Sequence, residues 1–133
     1  MNDTSDRAPA EIVQLTARLL RSIAEGDWKT YAELCDPKIT AFEPEAGGHL
    51  VEGMDFHHFY FSLPGAPGPK NNTIASPKVW MLGPDAAVVA YVRVVQKLDE
   101  AGNPVTVRSE ETRVWQRRDG QWKHVHFHRS ANG

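Results

Sequence analysis

This chain of 133 residues has one cysteine, no apolar run long enough to span a membrane, and a net charge of only -2. Cys35 is the single cysteine, so no internal disulfide can form, which suits a reducing compartment. Lys and Arg number 15 against 17 Asp and Glu, which gives no electrostatic footprint for nucleic acid or an acidic membrane surface. No apolar run approaches the roughly 20 residues that cross a bilayer, and the polar start MNDTSDRAPA has no signal core. We therefore expect a cytoplasmic protein with no nucleic-acid or membrane partner.

Motifs for nucleotide and hydrolytic chemistry are also missing. The sequence contains neither of the two common glycine-rich patterns that bind phosphate. It also lacks the GxSxG turn of serine hydrolases and the HExxH helix of zinc proteases. Its length suits one domain with one hydrophobic core. We predict a disordered lead over residues 1–9, one domain over residues 10–130 and no cofactor.

Hydrophobic periodicity predicts three helices in the first half of the chain. Apolar residues at three- and four-residue steps predict a helix over 10–25, and Asp27 is suited to cap a second helix that ends before Pro37. The aromatic segment MDFHHFYF predicts a third, largely buried helix over 54–61. The proline-rich segment 62–71 predicts a mobile loop at the rim of a pocket.

Strand-forming residues dominate the second half. Two short strands are predicted at 39–43 and 50–53, and four longer ones at 73–82, 86–98, 104–117 and 121–129. Helices in one block and a meander in another predict an α+β fold, with the helices on one face of a strongly curved antiparallel sheet.

Three arginines interrupt apolar strand faces, because side chains two residues apart share a face. They are Arg93, Arg113 and Arg129. An unpaired buried guanidinium costs several kcal/mol, so each must meet a carboxylate, face a wet cavity or receive an anionic ligand. The carboxylates available for pairing are Glu43, Glu45, Glu52, Glu110 and Glu111. Structural ion pairs, a water-filled pocket for a small carboxylate, and arginines on an exposed face all remain open.

Tyr31 and His57 lie among apolar neighbours on the second and third predicted helices. Together with the arginines they would form a cluster that binds an oxyanion or performs acid/base chemistry. The alternative is that both are hydrogen-bonded core residues.

The tract HVHFH places His124, His126 and His128 at alternate positions, and we predict that all three share one strand face. The outer two are then about 13 Å apart, so the three cannot serve one ion. We predict packing rather than a metal site, and for Cys35 a place as a small core residue rather than a nucleophile.

Long blocks of the chain resemble the association, or hub, domain of calcium/calmodulin-dependent protein kinase II. They are CDPKITAFEPEAGGHLVEGMDFHHFYF at 35–61, SEETRVWQRRDGQWKHVHFHRS at 109–130, GDW at 26–28 and AYVRVVQ at 90–96. The resemblance implies the cone-shaped nuclear transport factor 2-like fold. It also implies homo-oligomerisation, in which pairs of domains close into two stacked rings. By the same resemblance a pocket for small carboxylates is lined by Tyr31, His57, Arg93, Arg113 and Arg129.

Some features of the kinase family are not expected here. The sequence has no kinase domain and no basic amphipathic segment before Ala10, so we expect a stand-alone hub without kinase activity or calmodulin binding. Segment 62–71 lacks the tryptophan that animal hubs place near the pocket. A different possibility is an enzyme similar to ketosteroid isomerases and SnoaL-like cyclases of the same superfamily, with Tyr31 and His57 as acid and base.

Overall fold

The computed structural model describes residues 4–65 and 68–130, which form helices packed on one six-stranded sheet. The elements in chain order are α1 (Thr4–Glu25), α2 (Trp28–Leu34), β1 (Cys35–Phe42), a short 3-10 helix (Pro44–Ala46), β2 (Val51–Glu52), α3 (Asp55–Ser62), β3 (Asn71–Met81), β4 (Ala86–Leu98), β5 (Pro104–Arg118) and β6 (Gln121–Arg129). This arrangement confirms the predicted α+β class.

The strand order across the sheet is β2-β1-β6-β5-β4-β3. β3 to β6 pair antiparallel as predicted, whereas β1 lies parallel to β6. β1 begins at Cys35, four residues before its predicted start, and its pairing with β6 is irregular between Cys35 and Thr40. Pro37 lies in that irregular stretch, where a missing N–H is tolerated. The proline therefore ends α2 without preventing a strand.

α1 supplies the helical side of the core. Ile12, Leu19 and Leu20 are at most 1% exposed, at the spacing that predicted this helix. Trp115 Nε1 on β5 donates a hydrogen bond of 3.2 Å to Thr16 Oγ1, which ties the helix to the inner face of the sheet.

α1 begins at Thr4 rather than at Ala10, so residues 4–9 are helical where we predicted a disordered lead. This stretch has no large apolar residue at helical spacing, so periodicity gives no signal there. Residues 1–3 of the predicted lead lie outside the described residues.

α3 matches its predicted position but not its predicted burial. His57 is its single buried residue, while Phe59 and Tyr60 are 57% and 41% exposed. Phe61 packs against Trp28 of α2 at 5.1 Å between ring centroids. The prediction that α3 is largely buried is wrong. Aromatic content alone does not show which of the side chains of a helix are covered by the rest of the same chain.

The loop before β3 spans 63–70, and residues 66–67 of it lie outside the described residues. Its predicted mobility remains a prediction. No helix within the described ranges is long and apolar enough to cross a membrane.

Candidate functional site

All three candidate arginines lie on the inner face of the sheet, the face that α1 covers. The register pairs Tyr91 with Glu111, Glu111 with Arg129, and Arg113 with Phe127, so these side chains share one face. The two-residue alternation that selected the arginines therefore predicted their orientation correctly.

Arg113 is 1% exposed and is fully surrounded by partners. Its Nη2 donates to Glu111 Oε1 at 2.9 Å, and its Nε donates to the Tyr91 hydroxyl at 2.8 Å. The guanidinium also stacks over the Phe127 ring at 4.5 Å, a cation–π contact. Although burial opposes the charge, Tyr91 and Glu111 raise the pKa of the guanidinium above its usual value.

Glu111 is the carboxylate on which this network centres. It accepts from Arg113, from the Tyr91 hydroxyl at 2.6 Å, from Ser109 Oγ at 3.1 Å and from Arg93 Nη1 at 3.4 Å. Burial favours the neutral acid, but Arg113 and Arg93 lower the pKa of Glu111 to about 2. One carboxylate thus serves two guanidinium groups, and one positive charge is left in excess.

Arg93 and Arg129 keep part of their hydrogen-bonding capacity free. Arg93 Nε donates to Asn72 Oδ1 at 3.0 Å, and Arg129 Nη2 donates to the carboxylate of Glu45. Within residues 4–65 and 68–130, Arg93 Nη2 and the Nε and Nη1 groups of Arg129 have no partner. Their side chains are 16% and 24% exposed, so these donors are accessible.

Both arginines line a cavity of about 400 Å³ under the C-terminal end of α1. Its other polar wall residues include Lys70, Asn72, Lys97 and Ser109. Glu45 is the one carboxylate on a wall that carries several cations. We call this space the arginine cavity. An anion that enters it meets free guanidinium N–H groups.

Tyr31 and His57 lie close together, but they are not walls of the arginine cavity. Their ring centroids are 6.0 Å apart, and the His57 ring lies 5.7 Å from that of Phe127. Burial raises the pKa of Tyr31 well above its usual value, and burial and Arg113 lower the pKa of His57 to about 4. The five predicted site residues thus form two groups. Tyr31, His57 and Arg113 are buried, whereas Arg93 and Arg129 line the arginine cavity.

Glu43, which the sequence offers as an ion-pair partner for the arginines, is a perturbed carboxyl group beside His57. Its Oε2 lies 3.9 Å from His57 Nδ1. Burial and the neighbouring Glu45 raise the pKa of Glu43 to about 7. The sequence signal for Glu43 is its spacing. It follows β1 by one residue and continues the two-residue alternation of Ile39 and Ala41, which are buried on the inner face.

The prediction that the three histidines share a face is wrong. His124 pairs with Trp115 and His126 pairs with Val114, so Val125 is an extra residue in β6. This bulge reverses the alternation. His124 is therefore buried on the inner face, where its Nδ1 lies 3.5 Å from the thiol of Cys35, while His126 and His128 lie on the outer face.

Cys35 occupies the core position that we predicted. It is 2% exposed, and burial raises the pKa of its thiol to about 12. Among the described residues no group of three or more His, Cys, Asp or Glu side chains is arranged to hold a metal ion.

The sequence of residues 8–133 matches the family described as the calcium/calmodulin dependent protein kinase II association domain. The delta subunit of calcium/calmodulin-dependent protein kinase type II from Oryctolagus cuniculus is 52% identical over 124 residues, which cover 92% of this chain and 23% of that kinase. The chain therefore spans about a quarter of the length of that relative.

Solved structures agree with the sequence comparison. The hub homology domain of this kinase from Chlamydomonas reinhardtii matches with a TM-score of 0.89 at 51% identity, over 95% of this chain and 98% of that chain. The association domain of the C. elegans kinase matches with a TM-score of 0.92 at 44% identity, over 98% and 100%. A nuclear transport factor 2-like protein from Salmonella enterica shares the fold, with a TM-score of 0.76 at 21% identity over 97% and 94%. These matches confirm the predicted superfamily fold.

Proposed function

Because the chain belongs to the calcium/calmodulin-dependent protein kinase II association domain family, we propose that it is a homo-oligomerisation domain. The observation that carries the proposal is the outer face of the sheet, opposite α1. The residues that form this outer sheet face include Phe42, Trp80, Val88, Val92, Val114, His126 and His128.

From Ala86 to Val92, β4 is apolar on both of its faces. Its inner positions include Ala87, Val89 and Tyr91, and its outer positions include Val88 and Val92. An antiparallel strand with one face in water normally alternates apolar and polar residues. No described part of the chain covers the outer sheet face, where Trp80 and Phe42 are 48% and 40% exposed. A second copy of the chain is the partner that the family membership supports.

A closed ring also needs a second contact that differs from the first. The exposed residues Phe59, Tyr60 and Leu63 near the end of α3 offer an apolar patch away from the outer sheet face. We propose that one patch pairs the subunits and the other joins the pairs, as in the two stacked rings that the resemblance implies.

Multi-angle light scattering on Trp80→Glu tests the use of the outer sheet face. A buried unpaired carboxylate is costly, so this variant should fall to a smaller assembly than the native chain. Ala101→Glu is the control, because Ala101 is exposed in the turn between β4 and β5, at the opposite end of β4 from the residue that pairs with Trp80. An unchanged mass for Trp80→Glu would exclude the outer sheet face as the contact.

We further propose that the arginine cavity binds a small carboxylate. The free donors of Arg93 and Arg129, together with the excess charge beside Glu111, support an anion there. Arg113 acts as a positioning residue, since it holds Glu111 and does not line the cavity. Calorimetry with butyrate should show binding that weakens at least tenfold in Arg129→Gln and is unchanged in Arg117→Gln. Arg117 lies outside the cavity, paired with Asp85.

The enzyme alternative, with a ketosteroid-isomerase-like or SnoaL-like activity, is favoured by one observation. Glu43, with a pKa raised to about 7 beside His57, is suited to proton transfer at neutral pH. Neither Tyr31 nor His57 lines the arginine cavity, so a substrate held there would not reach them. Turnover of a ketone or carboxylate substrate that is lost in Glu43→Gln and His57→Ala would support an enzyme, and turnover retained in both would exclude these residues.

A further inference from the structure

Two histidines of the outer sheet face, His126 and His128, have no role in the functions proposed above. Both belong to β6, which lies between β1 and β5 in the sheet. The residues that pair with them on these two strands are uncharged: Thr40, Phe42, Thr112 and Val114. A subunit contact through this face would therefore bury both imidazole rings among neutral side chains.

Both rings pack around the exposed ring of Phe42. The ring centroid of His126 lies 6.1 Å from that of Phe42, and the centroid of His128 lies 5.5 Å from it. His126 Nδ1 is also 2.7 Å from Thr40 Oγ1, a hydrogen bond that fixes the ring without supplying a charge. Partial burial already lowers the pKa of His126, so the neutral ring is favoured before any second copy covers it.

No carboxylate is placed to compensate a positive charge on either ring. Among residues 4–65 and 68–130, neither His126 nor His128 forms an ion pair. β4 contributes no charged side chain to the outer sheet face. Apart from Arg118, which is paired with Asp36, the charged residues at outer positions of the other strands are Lys38, Glu52, Lys78, Arg108, Glu110 and Lys123. Cations outnumber carboxylates in this set, so protonated histidines would add to an excess of positive charge.

We propose that His126 and His128 make assembly pH-sensitive, because the contact between two outer sheet faces holds neutral imidazoles and weakens as these gain protons below about pH 6.5. This inference rests on the homo-oligomer proposed above and names how its contact is regulated. A contact between two copies of the same face contains each histidine twice. Protonation would thus place several unpaired charges in one apolar contact.

The direction of the effect follows from proton linkage. A histidine buried in the contact stays neutral, whereas the same histidine in a separated chain takes up a proton near its ordinary pKa of about 6.5. Below that pH each ring favours the separated form by up to about tenfold per pH unit. Four rings in one pair of subunits therefore predict a dissociation constant at least tenfold higher at pH 5.5 than at pH 7.5.

Groups on the inner face also titrate, and they must be separated from the outer histidines. His57, with a pKa lowered to about 4, and His124, with a pKa lowered further by burial, stay neutral in the folded chain at pH 5.5. Glu43 gains a proton in this range, since its pKa is raised to about 7. Substitutions confined to the outer sheet face distinguish its response from that of Glu43.

Mass photometry over a dilution series at pH 7.5 and pH 5.5, at one ionic strength, measures the effect on the native chain. The concentration at which half of the assembly has dissociated should rise at least tenfold at pH 5.5. Trp80→Ala removes apolar surface from the same face and is measured in parallel, so that dissociation occurs at higher, accessible concentrations. Circular dichroism at both pH values checks that the chain stays folded.

Glutamine variants assign the response to particular rings, because glutamine keeps hydrogen-bonding groups but does not titrate. The double variant His126→Gln, His128→Gln should change its dissociation midpoint at most twofold between the two pH values. The matched control is His49→Gln, His58→Gln, which replaces two exposed histidines in the loop before β2 and on α3. This control should keep the tenfold response of the native chain.

The outcomes separate this proposal from the homo-oligomer on which it rests. An assembly that is equally resistant to dilution at both pH values, in the native chain and in Trp80→Ala, would refute the pH sensitivity and leave the homo-oligomer standing. A full response that persists in the His126→Gln, His128→Gln variant would refute the role of these two rings. A single chain at both pH values would contradict the homo-oligomer itself.

Discussion

Removal of the charge on Glu111 is the perturbation whose consequence follows most directly from the structure. Its carboxylate has no exposed side-chain surface and is the sole acidic partner, among the described residues, of Arg113 and Arg93. Glu111→Gln keeps the shape of the side chain but leaves the buried Arg113 without a counter-charge. Breaking a buried ion pair on one side typically costs about 3–5 kcal/mol.

The matched control is the exposed pair of Arg117 and Asp85, whose side chains are 39% and 64% exposed. Exposed pairs of this kind contribute at most about 1 kcal/mol. Asp85→Asn should therefore change stability little. Since about 1 kcal/mol shifts the melting temperature of a domain of this size by several degrees, Glu111→Gln is expected to melt roughly 10 °C or more below the native protein.

The assay is thermal unfolding followed by circular dichroism at one fixed protomer concentration, because assembly makes melting concentration-dependent. Equal melting temperatures for Glu111→Gln and Asp85→Asn would refute the account of Glu111 as the centre of a buried charge network. The native melting temperature should also fall as pH drops from about 4.5 to about 2, since in that range the unfolded chain takes up a proton on Glu111 while the folded protein, with a pKa of about 2 for this group, does not.

Three further predictions follow from single contacts. The raised pKa of Glu43 means that its neutral form stabilises the fold below about pH 4.5 and that this contribution is lost as pH rises through about 7. The free energy of unfolding should therefore fall less in Glu43→Gln than in the native protein between pH 5 and 8. The same fall in both proteins would contradict this. Cys35 should stay unmodified by a thiol reagent at pH 8 until the protein unfolds, and rapid native labelling would show that its burial is wrong. Asp27→Ala removes the side chain that accepts a hydrogen bond from Thr30 N at 3.2 Å, so it should lower the urea midpoint of unfolding, whereas Asp27→Asn should lower it less; equal losses would argue against the cap.

Much of the sheet could be predicted because its signals are local. β4 is rich in Val, β6 carries Trp122, Val125 and Phe127, and the turns between strands contain Gly, Asp and Pro; the predicted bounds of both strands match the structure. Alternation along a strand also placed Arg93 and Arg113 on the inner face correctly. Ion pairing with one of five glutamates was among the alternatives, and Glu111, one of the five, lies two residues from Arg113 on the same face.

The errors arose where a local pattern depends on contacts elsewhere. One extra residue, Val125, reverses the alternation in β6, and nothing in HVHFH itself signals a bulge. The aromatic content of α3 indicated burial, but Phe59 and Tyr60 stay exposed in the single chain. Whether Tyr31 and His57 reach a cavity depends on side-chain packing across three elements, which periodicity does not encode.

The mass of the native protein in solution tests the central claim most directly. Multi-angle light scattering at micromolar concentration should give a mass many times the 14.9 kDa of one chain, in an even number of copies, and Trp80→Glu should lower it. A particle of a single chain would contradict the account, because the apolar outer sheet face would then be exposed to water.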